Sequence, residues 1–248
     1  MRKKLFLPGN AKQEKIFGKN NCHHAFTMAE VLIVLGIIGI IAALTIPNLM
    51  GMYRKSVVET SLKKFYTAVN QAILLSVHKH EAVRFWSFAP ENTPESIEQW
   101  FNRYFGGFFN TLRAGKYKID GKDYFTLFFE DGSGAYLDYM GHDWFFCTEV
   151  KALENFEENH GRKCFKFGFY PNYSREQAPK FQKCYASYNY SDKGVEPYVS
   201  LLTKNADGTI PTGERFCTEA KDLYTQKLYS KIIQLNGWQI PKDYPVKF

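Results

Sequence analysis

The sequence lacks the short motifs that mark the common enzyme classes. It contains no G-x-S-x-G nucleophile turn, no Walker A loop, no H-E-x-x-H zinc motif and no dinucleotide-binding fingerprint. Histidine is scarce: His23 and His24 follow Cys22, and His78 and His80 stand two residues apart, a spacing that cannot share one helical face. The sequence therefore predicts no catalytic residue, no metal site and no cofactor, and it indicates that the protein is not an enzyme.

An excess of charge of one sign is largely missing from the body of the chain. The formal net charge is +7. Residues 1–25 hold six basic side chains and one acidic side chain, so they contribute +5, and the remaining residues carry only +2. The overall charge therefore does not indicate binding to nucleic acid. One local basic group is expected to be a solvated face, and it comprises Arg162, Lys163, Lys166, Lys180 and Lys183.

What the sequence does contain is one long apolar run, from Phe26 to Ile46. Its 21 residues would form a helix of about 31 Å, which matches the ~30 Å hydrocarbon core of a bilayer. Glu30 carries the single charge in this run, and a buried, unpaired carboxylate costs several kcal/mol in a membrane. Glu30 therefore needs a partner cation or a shallow position. A plain signal anchor is one alternative; a cleavable secretory signal fits less well, because its apolar core has about 7–15 residues.

The order of residues at this point carries a family resemblance. Ala25 is followed by Phe-Thr-Met-Ala-Glu, then by the apolar span and Pro47. This stretch resembles the type IV prepilin family, which includes pilins and the pseudopilins of type II secretion, and the resemblance extends to about Ile73. It implies that a prepilin peptidase cuts between Ala25 and Phe26 and that the new Phe26 amine is methylated. The family usually has glycine before the cut, where this chain has Ala25.

Cleavage at this position would create a cation close to the acid. The α-amine of Phe26 lies only four residues before Glu30. Between neighbouring subunits, the amine of one chain can neutralise the glutamate of the next inside an apolar filament core. Because this amine does not exist before cleavage, processing would switch assembly on. Glu30 and Phe26 are therefore the predicted assembly residues, and Pro47 is the predicted position of a helix kink.

The resemblance divides the chain into four segments. Residues 1–25 are a cleaved basic leader, 26–47 a transmembrane and filament-core helix, 48–80 its amphipathic continuation, and 81–248 an extracytoplasmic globular head. It implies a single-pass protein of the inner membrane, with the leader in the cytoplasm, that later enters a periplasmic or cell-surface filament. Basic residues on both sides of the span leave the positive-inside rule indecisive.

Cysteine usage agrees with export. Cleavage would remove Cys22 and leave four cysteines in the head, which are Cys147, Cys164, Cys184 and Cys217. In an oxidising compartment four cysteines predict two disulfides with three open connectivities. Pairing Cys147 with Cys164, and Cys184 with Cys217, is favoured because it closes shorter loops. Four buried free thiols are the alternative, and the spacings match no paired C-x-x-C zinc pattern.

The predicted fold is α+β and pilin-like: a long amino-terminal helix packed on a small antiparallel sheet, followed by a carboxyl-terminal helix. The first helix should extend to about His78, because apolar residues recur at three- and four-residue steps. This stripe consists of Val58, Leu62, Phe65, Val69, Ala72 or Ile73, and Ser76. A short helix should begin at Thr93-Pro94-Glu95, with Thr93 as its cap. Cys217 to Leu235 should be helical, with Leu228, Ile232 and Leu235 on one apolar face.

Between these helices the apolar pattern changes to a period of two. About four antiparallel strands are predicted, with a hairpin turn at 131–134 and with His142 and His160 exposed in turns. The runs are Tyr117–Ile119, Tyr124–Glu130, Ala135–Met140, Trp144–Val150 and Cys164–Tyr170. The abundant aromatic residues are expected to fill the core of this head.

These patterns together predict a structural subunit of a type IV pilus or type II secretion filament, either a pilin or a pseudopilin, and a minor one given its size. Its expected partners are other such subunits, the prepilin peptidase, an inner-membrane assembly platform and membrane lipid. One alternative is a filament-tip or membrane-anchored binding module for DNA or a surface, although no motif supports nucleic acid. Another is an anchored extracytoplasmic enzyme, which the absence of any recognisable site disfavours. Calcium held by Asp192 or Asp207 is a minor alternative, because the Asp-rich loop pattern is absent.

Overall fold

The computed structural model describes residues 27–109, 111–171, 194–198 and 227–248. The chain divides into two compact units, Met1–Pro47 and Asn48–Phe248. Helix α1, Met28–Val77, begins in the first unit and ends in the second. Its end lies one residue before the position that the apolar stripe predicted.

In its described residues, the second unit contains three further helices and six strands. The helices are α2 (Pro94–Phe105), α3 (Phe156–Asn159) and α4 (Tyr229–Leu235). The strands are β1 (Arg113–Ile119), β2 (Lys122–Phe128), β3 (Gly134–Asp138), β4 (Asp143–Cys147), β5 (Cys164–Gly168) and β6 (Glu196–Pro197). Short 3-10 turns cover Val83–Phe85, Tyr139–Gly141 and Val150–Asn155. The predicted α+β fold, with a long first helix, an antiparallel sheet and a carboxyl-terminal helix, is confirmed.

The sheet is a meander in which each strand pairs with the next one along the chain. Its order is β1-β2-β3-β4-β5-β6, and every pairing is antiparallel. All five predicted runs form strands, but the prediction of about four strands was too low. The sixth strand was missed because two residues are too few to show an alternating pattern.

The predicted hairpin turn connects β2 with β3. The Asp131 side chain accepts hydrogen bonds from the Ser133 amide at 3.1 Å and from the Ser133 hydroxyl at 2.5 Å. Gly132 has a φ of 81°, a left-handed conformation that glycine adopts without steric cost. The hydrogen bonds between Asp131 and Ser133, and the left-handed conformation of Gly132, thus stabilise this turn.

The second half of α1 packs on one face of the sheet. Every member of its predicted apolar stripe is buried: Val58, Leu62, Phe65, Val69, Ala72, Ile73 and Ser76. Phe65 stacks on Phe146 of β4, with ring centroids 4.3 Å apart, and its edge meets Phe167 of β5 at 5.1 Å. Because the stripe has the helical period, its members lie on one face of α1, and that face is buried.

Helix α2 packs on the same aromatic core. Thr93 caps it by accepting a hydrogen bond from the Ser96 amide at 3.3 Å, as predicted. The Phe101 ring lies 5.3 Å from Phe125 of β2, and the Phe105 ring lies 5.5 Å from Trp144 of β4. The prediction that aromatic residues fill the core is therefore confirmed.

The carboxyl-terminal helix is shorter than predicted. Residues 217–226 lie outside the described part of the chain, and Lys227 and Leu228 precede the helix. Lys227 has a φ of 56°, which is incompatible with a right-handed helix passing through it. The predicted apolar face was also partly wrong, because Leu235 is 58% exposed while Ile233 is fully buried.

A long-range contact closes the chain end onto α1. The Glu59 carboxylate accepts a hydrogen bond of 2.7 Å from the Ile240 amide. This bond links positions far apart in sequence, so no local pattern predicted it. It fixes the tail that follows α4 against the helix that precedes the head.

Candidate processing and assembly site

The amino-terminal end of α1 is closed by a reciprocal pair of side chains. The Glu30 carboxylate accepts hydrogen bonds from the Thr27 amide at 2.8 Å and from the Thr27 hydroxyl at 2.9 Å. The Glu30 amide in turn donates to the Thr27 hydroxyl oxygen at 3.2 Å. This arrangement is a capping box, in which a threonine and a glutamate three residues later satisfy the free amides of a first helical turn.

Thr27 is the residue that the sequence argument missed. The spacing Thr-x-x-Glu directly before an apolar run is itself the signal of a capping box, and it was present in the sequence. Glu30 was assigned only to pairing with an amine, yet in the structure its carboxylate also caps its own helix. A negative charge at this end is favourable to the helix dipole as well.

The cap places the acid beside the predicted cut. The Thr27 amide belongs to the peptide bond that follows Phe26, so the Glu30 carboxylate lies one residue from the amine that cleavage would create. Both partners of the cap are exposed. Ala25 and Phe26 lie outside the described residues, and their role in processing remains a prediction.

After Glu30 the surface of α1 is apolar on all sides. No Asp, Glu, Lys or Arg occurs between Glu30 and Arg54. Many large apolar side chains are exposed there, including Leu32, Ile33, Leu35, Ile40 and Leu44. Within the described part of the chain, α1 is the one helix that is long and apolar enough to cross a membrane.

The few polar groups in this segment are compatible with apolar surroundings. The Thr45 hydroxyl donates to the Ile41 carbonyl at 2.9 Å, so it needs no partner outside the helix. Pro47 lies inside α1, and the kink predicted there remains a prediction. An exposed apolar surface of this extent calls for a cover, and lipid or other apolar helices can supply one.

In the head, Cys147 and Cys164 form a disulfide. They face each other across the β4–β5 pair, with an S–S distance of 1.98 Å, and both are buried. This is the pairing favoured for its shorter loop. Cys184 and Cys217 lie outside the described residues, so the second bridge remains a prediction.

The two histidines predicted to be exposed are partly buried, so that prediction was wrong. His142 stacks on Phe88 with ring centroids 3.7 Å apart. His160 packs against Tyr229 of α4 at 5.0 Å, and its Nδ1 has no hydrogen-bond partner among the described residues. Burial lowers the pKa of both imidazoles, and Lys227 and Lys166 help to bring the pKa of His160 to about 4. Aromatic neighbours from distant parts of the chain cover both turns.

The head should lose stability in mild acid because of His160. The pKa of His160 is about 4 in the folded head, below its ordinary value of 6.5, so the unfolded chain binds more protons between these values. Stability is then full above about pH 6.5 and falls as the pH drops towards 4. Urea unfolding at a series of pH values should show this decline, and His160→Phe should flatten it. An unchanged pH profile in the variant would contradict this assignment.

The basic group predicted as a solvated face is partly neutralised. The Lys163 ammonium lies 2.8 Å from the Glu149 carboxylate. The Lys166 ammonium lies 2.8 Å from the Asp143 carboxylate and 3.8 Å from the centroid of the Tyr198 ring. The prediction of a fully solvated side chain was therefore wrong for Lys166. Lys180 and Lys183 are outside the described residues. A broad basic surface for nucleic acid therefore gains no support from these side chains.

The described residues include no group of three or more His, Cys, Asp or Glu side chains that could hold a metal ion. Asp192 and Asp207, named above for calcium, both lie outside the described part of the chain. The chemistry of the described site therefore rests on one carboxylate, one helix cap and an apolar surface.

Comparison with known families agrees with this division of the chain. Residues 20–46 match the prokaryotic N-terminal methylation motif, which confirms the resemblance to type IV prepilins. The motif supports a processed subunit of the pilin or pseudopilin type, with other such subunits and a prepilin peptidase as the kind of partner. No curated protein and no solved structure matches the chain. Residues 48–248 match a family of unknown function, DUF6613, and because this match covers most of the chain, the protein belongs to that family.

Proposed function

We propose that the protein is a structural subunit of a type IV pilus or type II secretion filament, held in the inner membrane by α1 until it is assembled. The observation that carries this proposal is the first half of α1. It combines a methylation motif, a capped glutamate and an uncharged, exposed apolar surface on one helix. An anchored enzyme would need a membrane span, but it would not need an acid at the start of that span.

The apolar segment can serve two environments in turn. In the membrane its side chains contact lipid, and in a filament they contact the same segment of neighbouring subunits. The exchange replaces one apolar environment by another, so it costs little transfer free energy. The preference of a subunit for the filament must then come from the polar start of α1, where Glu30 of one subunit pairs with the Phe26 amine of another.

The head is attached to the same helix, α1. The buried stripe of α1 ties the sheet to the segment that follows Pro47, so a filament of packed α1 segments would carry the heads with it. In this proposal 1–25 is the leader that is removed, and the head lies outside the cytoplasm. The Cys147–Cys164 bridge fits that compartment, because disulfides persist where the surroundings are oxidising.

Intact-mass spectrometry of the membrane protein tests this proposal. Cells with an active prepilin peptidase should yield a chain that begins at N-methylated Phe26, with its four remaining cysteines unreactive towards a thiol reagent until reduction. Cells with a catalytically inactive peptidase are the control, and they should yield the chain with residues 1–25 and without the methyl group. A full-length chain in both strains would contradict processing, and with it the filament proposal.

A further inference from the structure

A groove on the second unit has the properties of a site for an anionic headgroup. It has a volume of about 450 Å³ and lies beside the part of α1 that follows Pro47. Tyr53 and Val57 of α1, together with Phe248, form its apolar wall. The cations Arg54, Arg162 and Lys163 line the same groove.

The charges in the groove do not cancel. Glu149 is the one acidic side chain among its lining residues, and its carboxylate is bound to Lys163 at 2.8 Å. Among the described residues, the Arg162 guanidinium donates to a neutral partner, the Asn159 side-chain oxygen at 3.4 Å. Arg54 and Arg162 are both exposed, and neither forms an ion pair within the described part of the chain. Two guanidinium groups therefore remain available for an anion from outside.

The groove lies close in sequence to the apolar run of α1, and this position favours the phosphate of a lipid headgroup as the anion. Arg54 follows Ile46, the last residue of the apolar run, by eight residues, which is about 12 Å along a helix. The headgroup layer of a bilayer adds about 5–8 Å on each side of its hydrocarbon core, so the Arg54 backbone lies just outside this layer and its long side chain can extend back into it. Tyrosine favours this layer, and arginine side chains extend into it from a helix that leaves the membrane. A planar guanidinium also matches a phosphate group in a two-point hydrogen bond.

We infer that the groove binds the headgroup phosphate of an anionic phospholipid of the membrane that anchors α1. Arg54 and Arg162 hold the phosphate, and the apolar wall of Tyr53 and Phe248 lies beside the rest of the headgroup. A net positive groove favours phosphatidylglycerol over phosphatidylcholine, because the choline cation of the latter is repelled. The inference rests on the proposed membrane anchoring and adds a lipid preference to it.

Lipid retention by the full chain tests this inference. The protein is reconstituted into nanodiscs that contain equal amounts of phosphatidylglycerol and phosphatidylcholine with the same acyl chains. It is then extracted in mild detergent, and native mass spectrometry counts the lipids that remain bound. The wild-type chain should retain phosphatidylglycerol preferentially. Arg54→Gln with Arg162→Gln should reduce that preference by about five-fold or more, since each basic residue near a membrane surface is worth roughly that factor.

The matched control removes the same charge elsewhere. Lys118→Gln with Lys151→Gln alters two exposed lysines that do not line the groove, and it should leave the preference unchanged. Equal loss in both double variants, or no loss in the groove variant, would overturn the inference. Displacement of the lipid by excess inorganic phosphate would also overturn it, because the site would then take free anions. A chain that does not enter the nanodiscs would refute the anchoring itself, a result distinct from an embedded chain without lipid preference.

Discussion

Replacing Glu30 with alanine is expected to leave the chain in the membrane and to abolish its incorporation into filaments. Insertion depends on the apolar surface of α1, which the change leaves intact. In the filament proposed above, incorporation would depend on the carboxylate, because a methylated Phe26 amine inside an apolar filament core would otherwise keep an uncompensated charge. Breaking a buried ion pair by removing one partner costs about 3–5 kcal/mol, enough to exclude a subunit from assembly.

In the structure Glu30 also caps α1, in addition to its proposed pairing with the Phe26 amine. Two further variants separate these two roles. Glutamine can replace glutamate in a capping box, so Glu30→Gln keeps much of the helix cap and removes the charge. Thr27→Val does the opposite, since it removes the capping hydroxyl and keeps the carboxylate. Loss of a cap costs about 1 kcal/mol, which is too little to abolish assembly. We therefore expect Glu30→Gln to fail and Thr27→Val to be incorporated.

The measurement compares sheared filaments with carbonate-washed membranes by quantitative immunoblotting. All three variants should be equally abundant in membranes and equally processed at Phe26. Normal incorporation of Glu30→Gln would show that the negative charge is dispensable. A failure of Thr27→Val alone would instead make the helix cap the function of this end of α1.

Much of the head could be predicted from its sequence because the signals are periodic and local. The stripe from Val58 to Ser76 has the step of a helix that is buried on one face, and the structure buries every member. The strands of the meander follow one another along the chain, so each run needs only its neighbour and a turn. Thr93 and Pro94 likewise marked the start of α2 by the chemistry of its first turn alone.

The features that the sequence did not show depend on distant contacts or on backbone conformation. His160 is partly buried because Tyr229, far along the chain, packs against it. The bond from the Ile240 amide to Glu59 likewise joins the end of the chain to α1, far apart in sequence. Lys227 adopts a left-handed conformation that an apolar helical pattern cannot show. Thr27 differs, because its capping signal was local and was missed beside the more prominent apolar run.

Replacing Phe65 with alanine should destabilise the head more than any exposed change on the same helix. Phe65 is 4% exposed, and its ring meets those of Phe146, Phe167, Trp144 and Phe129. Removing a phenylalanine from such a core costs about 3–5 kcal/mol, through lost burial and the cavity left behind. Urea unfolding of the full chain in detergent, followed by tryptophan fluorescence, should show a much lower midpoint.

Leu74→Ala is the matched control, because Leu74 lies on α1 and is 68% exposed. We expect it to change the free energy of unfolding by less than about 0.5 kcal/mol. The pair tests whether the second half of α1 is part of the folded head. Comparable effects of both changes would mean that the buried stripe does not hold the sheet. A large effect of Phe65→Ala alone would mean that the second half of α1 is part of the folded core on which the sheet packs.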